Sequence, residues 1–188
     1  MSVSICAINS KELNDQELIN DGFNLFVYWE LSDMFSDVLI SRDTATGNEP
    51  GELDQIGLEY KIDIEPIFKM SNYWDKEQEI KHLALLHDDA AKAKQLAIIT
   101  QNNNNLHGNI QLIEQTMHLL ESKVQQLEVK AFISRTNAEF YDNNAYFSNN
   151  KKTYRANFLE DIKKINEFIA FAKPLDADTL YFKFKTNS

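Results

Sequence analysis

Glu79 and His82 stand three residues apart in a stretch that reads as helix, which sets a carboxylate and an imidazole on one face. This Glu-x-x-His spacing is the element from which di-metal bundle sites are built. Such a site needs a second pair and two further glutamates from neighbouring helices. The sequence offers Glu114 and His118 four residues apart on a second helix, and Glu160 and Glu167 on a third. The second pair has a different spacing, so the set is incomplete, and solvated helix faces account for the same residues. No cofactor is expected; if a metal binds, Glu79, His82, Glu114 and His118 are its candidate ligands.

Other combinations are weaker. His87, Asp88 and Asp89 put an imidazole beside two carboxylates, a grouping suited to acid–base work. Adjacent helical residues point to different sides, so an exposed polar turn is the simpler account. Cys6 has the chemistry of a nucleophile if a histidine reaches it. It sits in a short apolar segment, where a thiol is ordinarily buried and inert. The loop from Asp43 to Glu52 holds acids and Gly47, but not in the order of a calcium loop. The sequence has no Gly-rich phosphate loop, nucleophile elbow or Cys-x-x-Cys pair. No catalytic residue is assigned, and a binding protein is expected rather than an enzyme.

Charge is the more informative feature. The 188 residues carry 29 acidic and 19 basic side chains, a formal net charge of −10. Nucleic-acid binding needs basic stripes that displace counterions from phosphates, and this chain lacks that excess. An anionic membrane surface is disfavoured for the same reason. A basic protein partner fits, because complementary charge speeds encounter and excludes wrong partners.

The charge is unevenly spread. Residues 1–73 hold 14 acidic and 4 basic side chains, so the whole net charge of −10 lies there. Residues 74–188 balance 15 against 15. The expected partner-binding acids are Asp21, Glu30, Asp33 and Asp37, with Glu49, Glu52 and Asp54 in the following loop. The aromatic residues Phe23, Phe26, Tyr28, Trp29 and Phe35 lie among the first group. They read first as core, and any left exposed beside the acids form a hot-spot patch ringed by charge.

The elements that must position these residues follow from periodicity. Ser2 to Ile8 alternates and is rich in β-branched residues, which predicts a strand. Asn14 to Glu17 has the order of a capping box. Val27, Leu31, Met34 and Val38 are spaced for a helix, although 23–31 also alternates as a strand does. Helix is the favoured reading. Residues 41–56 read as a loop. Leu58, Tyr60, Ile62 and Ile64 alternate with Glu59, Lys61, Asp63 and Glu65, which predicts a middle strand ended by Pro66.

Helix is expected from Asp75 to about Thr100, a turn over the Asn-rich 101–108, and a second helix carrying Ile110, Ile113, Met117, Leu120, Val124, Leu127 and Ala131. That last series is an unbroken heptad seam. Together, 75–133 read as a long antiparallel helical hairpin, a protruding part of a single domain spanning 1–188. Residues 135–153 read as a loop pinned by aromatics, 153–172 as a helix, and 180–185 as a terminal strand. Glu59, Asp63 and Glu65 are expected to face Lys183 and Lys185 across a strand pair. The fold class is α+β, predominantly helical, with a small sheet of N-terminal, middle and C-terminal strands packed on helices.

One cysteine cannot form an internal disulfide, and residues 1–6 do not read as a signal peptide, so a cytoplasmic protein is expected. Small acidic α+β proteins without catalytic motifs are similar in character to bacterial immunity proteins, which block toxins of competing strains. The likeness is one of character; no motif is shared and no residue roles carry over. It implies a basic toxin as partner. The alternatives are a helical adaptor that associates through the 110–131 seam, as monomer or homodimer, and a metal-dependent enzyme using the Glu/His set.

Overall fold

The computed structural model describes residues 2–11, 27–44, 51–125, 146 and 157–185. The protein is mostly helical, with a three-stranded antiparallel sheet, and so is α+β. Strand β1 (Ser2–Ile8) is central, between β2 (Val27–Glu30) and β3 (Thr179–Lys185). The two terminal strands form where expected, and they pair with each other, with Ile5 opposite Phe182 and Ala7 opposite Leu180.

Alternation divides the sheet into two faces. Val3, Ile5, Ala7, Leu180 and Phe182 lie on the inner face, in the main core. Ser4, Cys6, Ile8, Tyr181, Lys183 and Lys185 belong to the outer face. The inner face is covered by α1 (Asp33–Thr44), α2 (Glu52–Tyr60), α3 (Glu65–Lys69), α6 (Ile110–Val124) and α7 (Phe158–Ala172). Between them lie α4 (Lys76–Ala84) and α5 (Asp89–Leu106).

The amphipathic helices form where periodicity predicts them. On α7, Phe158, Ile162, Ile165, Ile169 and Ala172 are buried along one stripe. Asn157 caps this helix by accepting from the Glu160 N–H at 2.9 Å. On α6, the heptad residues Ile110, Ile113, Met117, Leu120 and Val124 are all buried in the main core, packed with α7. The seam therefore packs within the chain over its described length; Leu127 and Ala131 lie outside the described residues. Tyr146, from the expected aromatic-pinned loop, is buried in the same core.

Four expectations are corrected. The middle strand is not 58–65. Those residues end α2, turn at Lys61 and enter α3. Leu53, Ile56 and Gly57 are buried at helical spacing, while Leu58 is 72% exposed, so the apparent alternation does not mark one buried face. Lys61 adopts the left-handed conformation (φ 56°), and the Ile62 N–H donates to the Gly57 carbonyl at 2.9 Å. A Cβ on Gly57 would stand 2.9 Å from the Ile62 carbonyl oxygen, which is why glycine serves inside this helix. Pro66 does not end a strand; it occupies the first turn of α3, where its missing N–H is harmless.

Second, the middle strand is Val27–Glu30, where helix was favoured. Its alternation prevails over the helical spacing, which takes effect only from Asp33. Third, the segment 75–100 is two helices, capped by Asp75 and Asp88 and separated by Leu85, Leu86 and His87. The Asn-rich tract is not a turn; α5 continues through it to Leu106, and the turn follows at Gly108 (φ 76°). Fourth, α5 does not supply the partner face for the α6 seam. The buried residues of α5 are Ile99 and Leu106, and Leu106 packs with Cys6, Ile8, Tyr73 and Tyr181 on the sheet's outer side.

Two asparagine side chains act as substitutes for strand partners. Asn109 accepts from the Leu180 N–H at 2.7 Å and donates to its carbonyl at 2.9 Å. Asn103 does the same for Trp74, at 3.0 and 2.8 Å. Met70 lies in the main core, whereas Tyr73 stacks on Tyr181 with ring centroids 4.2 Å apart. The segment from Met70 to Asp75 thus crosses from the inner face to the outer one around the free edge of β3. No described helix is long and apolar enough to cross a membrane.

Candidate functional site

Lysines sort the acidic residues into answered and unanswered groups. Lys185 pairs with Glu30 at 3.1 Å, and Lys183 pairs with Asp75 and lies 3.6 Å from Glu77. Lys81 pairs with Glu77 at 2.7 Å, Lys76 with Glu79, and Lys173 with Glu114 at 2.8 Å. The C-terminal strand lysines do face acids, but not Glu59, Asp63 and Glu65 as expected. Those acids left the sheet when 58–65 proved to be helix and turn.

Among the expected partner-binding acids, Glu30 is thus answered by a lysine, and Lys164 also donates to its backbone carbonyl. Asp33 and Asp37 are exposed one turn apart on α1, and no cation pairs with either among the described residues. Partial burial raises the Asp37 carboxyl above its ordinary range; the charge of the N-terminus opposes this, and the charge of Asp33 adds to it. Glu52 and Asp54 lie in the first turn of α2, which packs against α1, so the fold brings these four acids onto neighbouring helices. Asp21 and Glu49 lie outside the described residues.

Of the expected aromatic patch, Phe35 is buried against Phe158 and Phe182. Trp29 packs edge-on against Phe168 at 5.5 Å. Tyr28 remains 52% exposed, with the Lys185 ammonium 4.7 Å from its ring centre. Phe23 and Phe26 lie outside the described residues.

The metal candidates are not assembled. Glu79 and His82 lie on α4, at the outer side of the sheet; His82 packs edge-on against Trp74 at 4.7 Å. Glu114 and His118 lie on α6, with Glu114 held by Lys173. Among the described residues, no group of three or more His, Cys, Asp or Glu is placed to hold a metal ion.

Cys6 is a buried free thiol, 3% exposed. Burial pushes its pKa up to about 11, overriding the lowering effects of Tyr181 and Lys183, so it is a poor nucleophile at neutral pH. The Tyr181 hydroxyl faces it and makes no conventional hydrogen bond. Burial also raises Tyr73 and Tyr181. This outer-face cluster is a packed layer with a polar margin at Asp75 and Lys183.

Sequence reasoning missed two arrangements. One is the buried Asp161 carboxylate, which accepts from the Ser32 N–H at 3.0 Å, the Ser32 hydroxyl, and the Tyr146 hydroxyl at 2.8 Å. Ser32 in turn accepts from the Phe35 N–H at 3.1 Å, so Asp161 fixes the start of α1 and hence the direction of Asp33 and Asp37. The other is a groove beside β3 lined by Tyr73 and Trp74. The only sequence signal for either was indirect: an acid on the apolar side of a helix, and an aromatic pair just before a capping box. Comparison with models of known families, with curated proteins and with solved structures finds no significant match for this chain.

Proposed function

We propose that this chain is a non-enzymatic binding protein, of the immunity type, that neutralises a basic toxin through the acidic face of α1 and the adjoining start of α2. The observation that carries the reading is the pair Asp33 and Asp37, exposed one turn apart with no lysine or arginine paired to either among the described residues, in a protein where Glu30, Asp75, Glu77, Glu79 and Glu114 each have a lysine. Like charges one turn apart destabilise a helix by about 0.2–0.5 kcal/mol. An uncompensated pair that disfavours the free fold becomes favourable when a cationic surface meets it. Arg and Lys side chains of a nuclease, arranged to hold phosphates, are such a surface.

The test is co-expression with the basic toxin encoded beside this chain. Growth is rescued by the wild type, and rescue is lost or sharply weakened in Asp33→Lys/Asp37→Lys. The purified complex weakens as salt rises, since exposed charges are screened. A neighbouring gene with no toxin-like product, or rescue that survives the double reversal, overturns the proposal.

A further inference from the structure

A groove of about 430 Å³ opens beside the free edge of β3. Its walls are Trp74, Tyr73 and Phe184, with Phe182 beneath; α4 supplies His82 and Lys81 at one side. A volume in this range suits a small ligand, and sites of this kind combine apolar walls with a few convergent polar groups. Two polar side chains at its rim are available to a ligand. Ser71 also lines the groove, but its hydroxyl oxygen is buried. The His82 imidazole is held against Trp74 by ring contact and makes no hydrogen bond among the described residues. Lys81 is engaged by Glu77, but the pair is exposed on both sides, with side chains 73% and 62% accessible, so the ammonium turns away from it at little cost.

Both groups lie on α4. None of the nine residues of α4 is buried, although an amphipathic helix ordinarily buries one face. Its side toward β3 bears Lys81 and His82 at the groove, and Leu85, just beyond its end, is left 74% exposed. The capping box of Asp75 and Gln78 fixes where this helix begins, so the groove is built on a set geometry.

We propose that this groove is a binding site for a small planar aromatic anion. Its ring system would lie between Trp74 and Phe184, and its carboxylate or sulfonate would meet His82 and Lys81. The choice of an anion rests on charge: the groove's basic lining residues are Lys81 and His82, and no carboxylate is among its lining residues, in a chain that is otherwise strongly acidic. This site is separate from the acidic face of α1, and neither reading depends on the other.

The experiment is calorimetric titration of the full chain with 2-naphthoate, and with 2-naphthalenemethanol as its neutral counterpart. Saturable one-to-one binding is expected, with the acid at least about tenfold tighter than the alcohol. Lys81→Gln/His82→Gln removes that preference, so that the acid and the alcohol bind alike. Leu85→Glu, a change at an exposed position that leaves the fold intact, weakens the acid alone by placing a negative charge at the mouth. Absence of saturable binding at millimolar ligand, equal affinity for the two compounds, or a preference for the acid that survives these substitutions overturns the proposal.

Discussion

The Lys183 ammonium reaches from the edge strand β3 to the Asp75 carboxylate that caps α4. One acid thus performs two tasks: it accepts from the Gln78 N–H at 2.8 Å and neutralises a lysine of the sheet. Asp75 is 7% exposed, so its charge depends on that partner. Lys183→Met is expected to lower stability by about 1–3 kcal/mol, because it strands a buried carboxylate. Asp75→Ala loses the cap as well, about a further 1 kcal/mol. The double variant should lose less than the sum of the two. Urea denaturation of the three variants measures this; strict additivity means that the pair is not coupled.

Alkali is expected to weaken the fold through the outer face of the sheet. In the unfolded chain the Cys6 thiol ionises near pH 9, whereas in the fold it resists ionisation until about 11. Between those values the unfolded state binds fewer protons, so stability falls as pH rises. Lys183 acts with the same sign. Burial lowers its pKa, but its hydrogen bond to Asp75 and the charges of Asp75 and Glu77 outweigh that and raise it. Its contribution is complete below the ordinary lysine value and is lost above it. Melting temperature should be flat from pH 7 to 8.5 and fall from pH 9. Cys6→Ala should remove up to about 3 kcal/mol of that fall between pH 9 and 11. The native thiol should also resist a disulfide reagent at pH 8 and react only on unfolding.

No cation pairs with Asp161 among the described residues, and its three donors hold it in place. Asp161→Ala removes the carboxylate that Ser32 and Tyr146 share in a buried site, and a loss of about 3–5 kcal/mol is expected. Tyr146→Phe removes one donor and should cost about 1–2 kcal/mol. Because Ser32 begins α1, Asp161→Ala is also expected to loosen the first turn of that helix. Hydrogen exchange at the Phe35 and Ser36 amides reads this directly; protection unchanged from wild type contradicts it.

The turn after α2 gives opposite outcomes at neighbouring positions. Gly57→Ala drives a methyl into the Ile62 carbonyl and should destabilise by about 1–3 kcal/mol. Lys61→Gly relieves a left-handed lysine and should be neutral or stabilising by up to about 1 kcal/mol. Were 58–65 a strand, glycine at 61 would instead weaken it. Thermal denaturation of the two variants separates these cases.

Some of this fold was legible in the residues, and the reason differs by element. Ile110 to Val124 and Phe158 to Ala172 were readable because each helix buries one continuous stripe, and burial of a stripe writes its period into the sequence. Strands β1 and β3 were readable for the same reason, at period two, although their pairing with each other was not. Leu58, Tyr60, Ile62 and Ile64 misled because a helix end followed by a turn also alternates over so few residues. The sign missed there was Gly57, with Leu53 and Ile56 before it. Asn103 misled in another way: asparagine favours turns locally, but a bond to Trp74, 29 residues away, holds it in a helix. The acids of α1 were identifiable from the sequence. Which acids the lysines answer was not, because pairing is a property of the fold.

The asparagine clamp and the strap around β3 also bear on solution behaviour. A sheet edge with free N–H and C=O groups is a template on which other chains add strands. Here one edge, β2, is only four residues long. The other is occupied at Leu180 by a side-chain amide and crossed by the chain from Met70 to Asp75. A three-stranded sheet bounded in this way gives growing aggregates little to copy. The described edges of this sheet are therefore poor templates for strand addition.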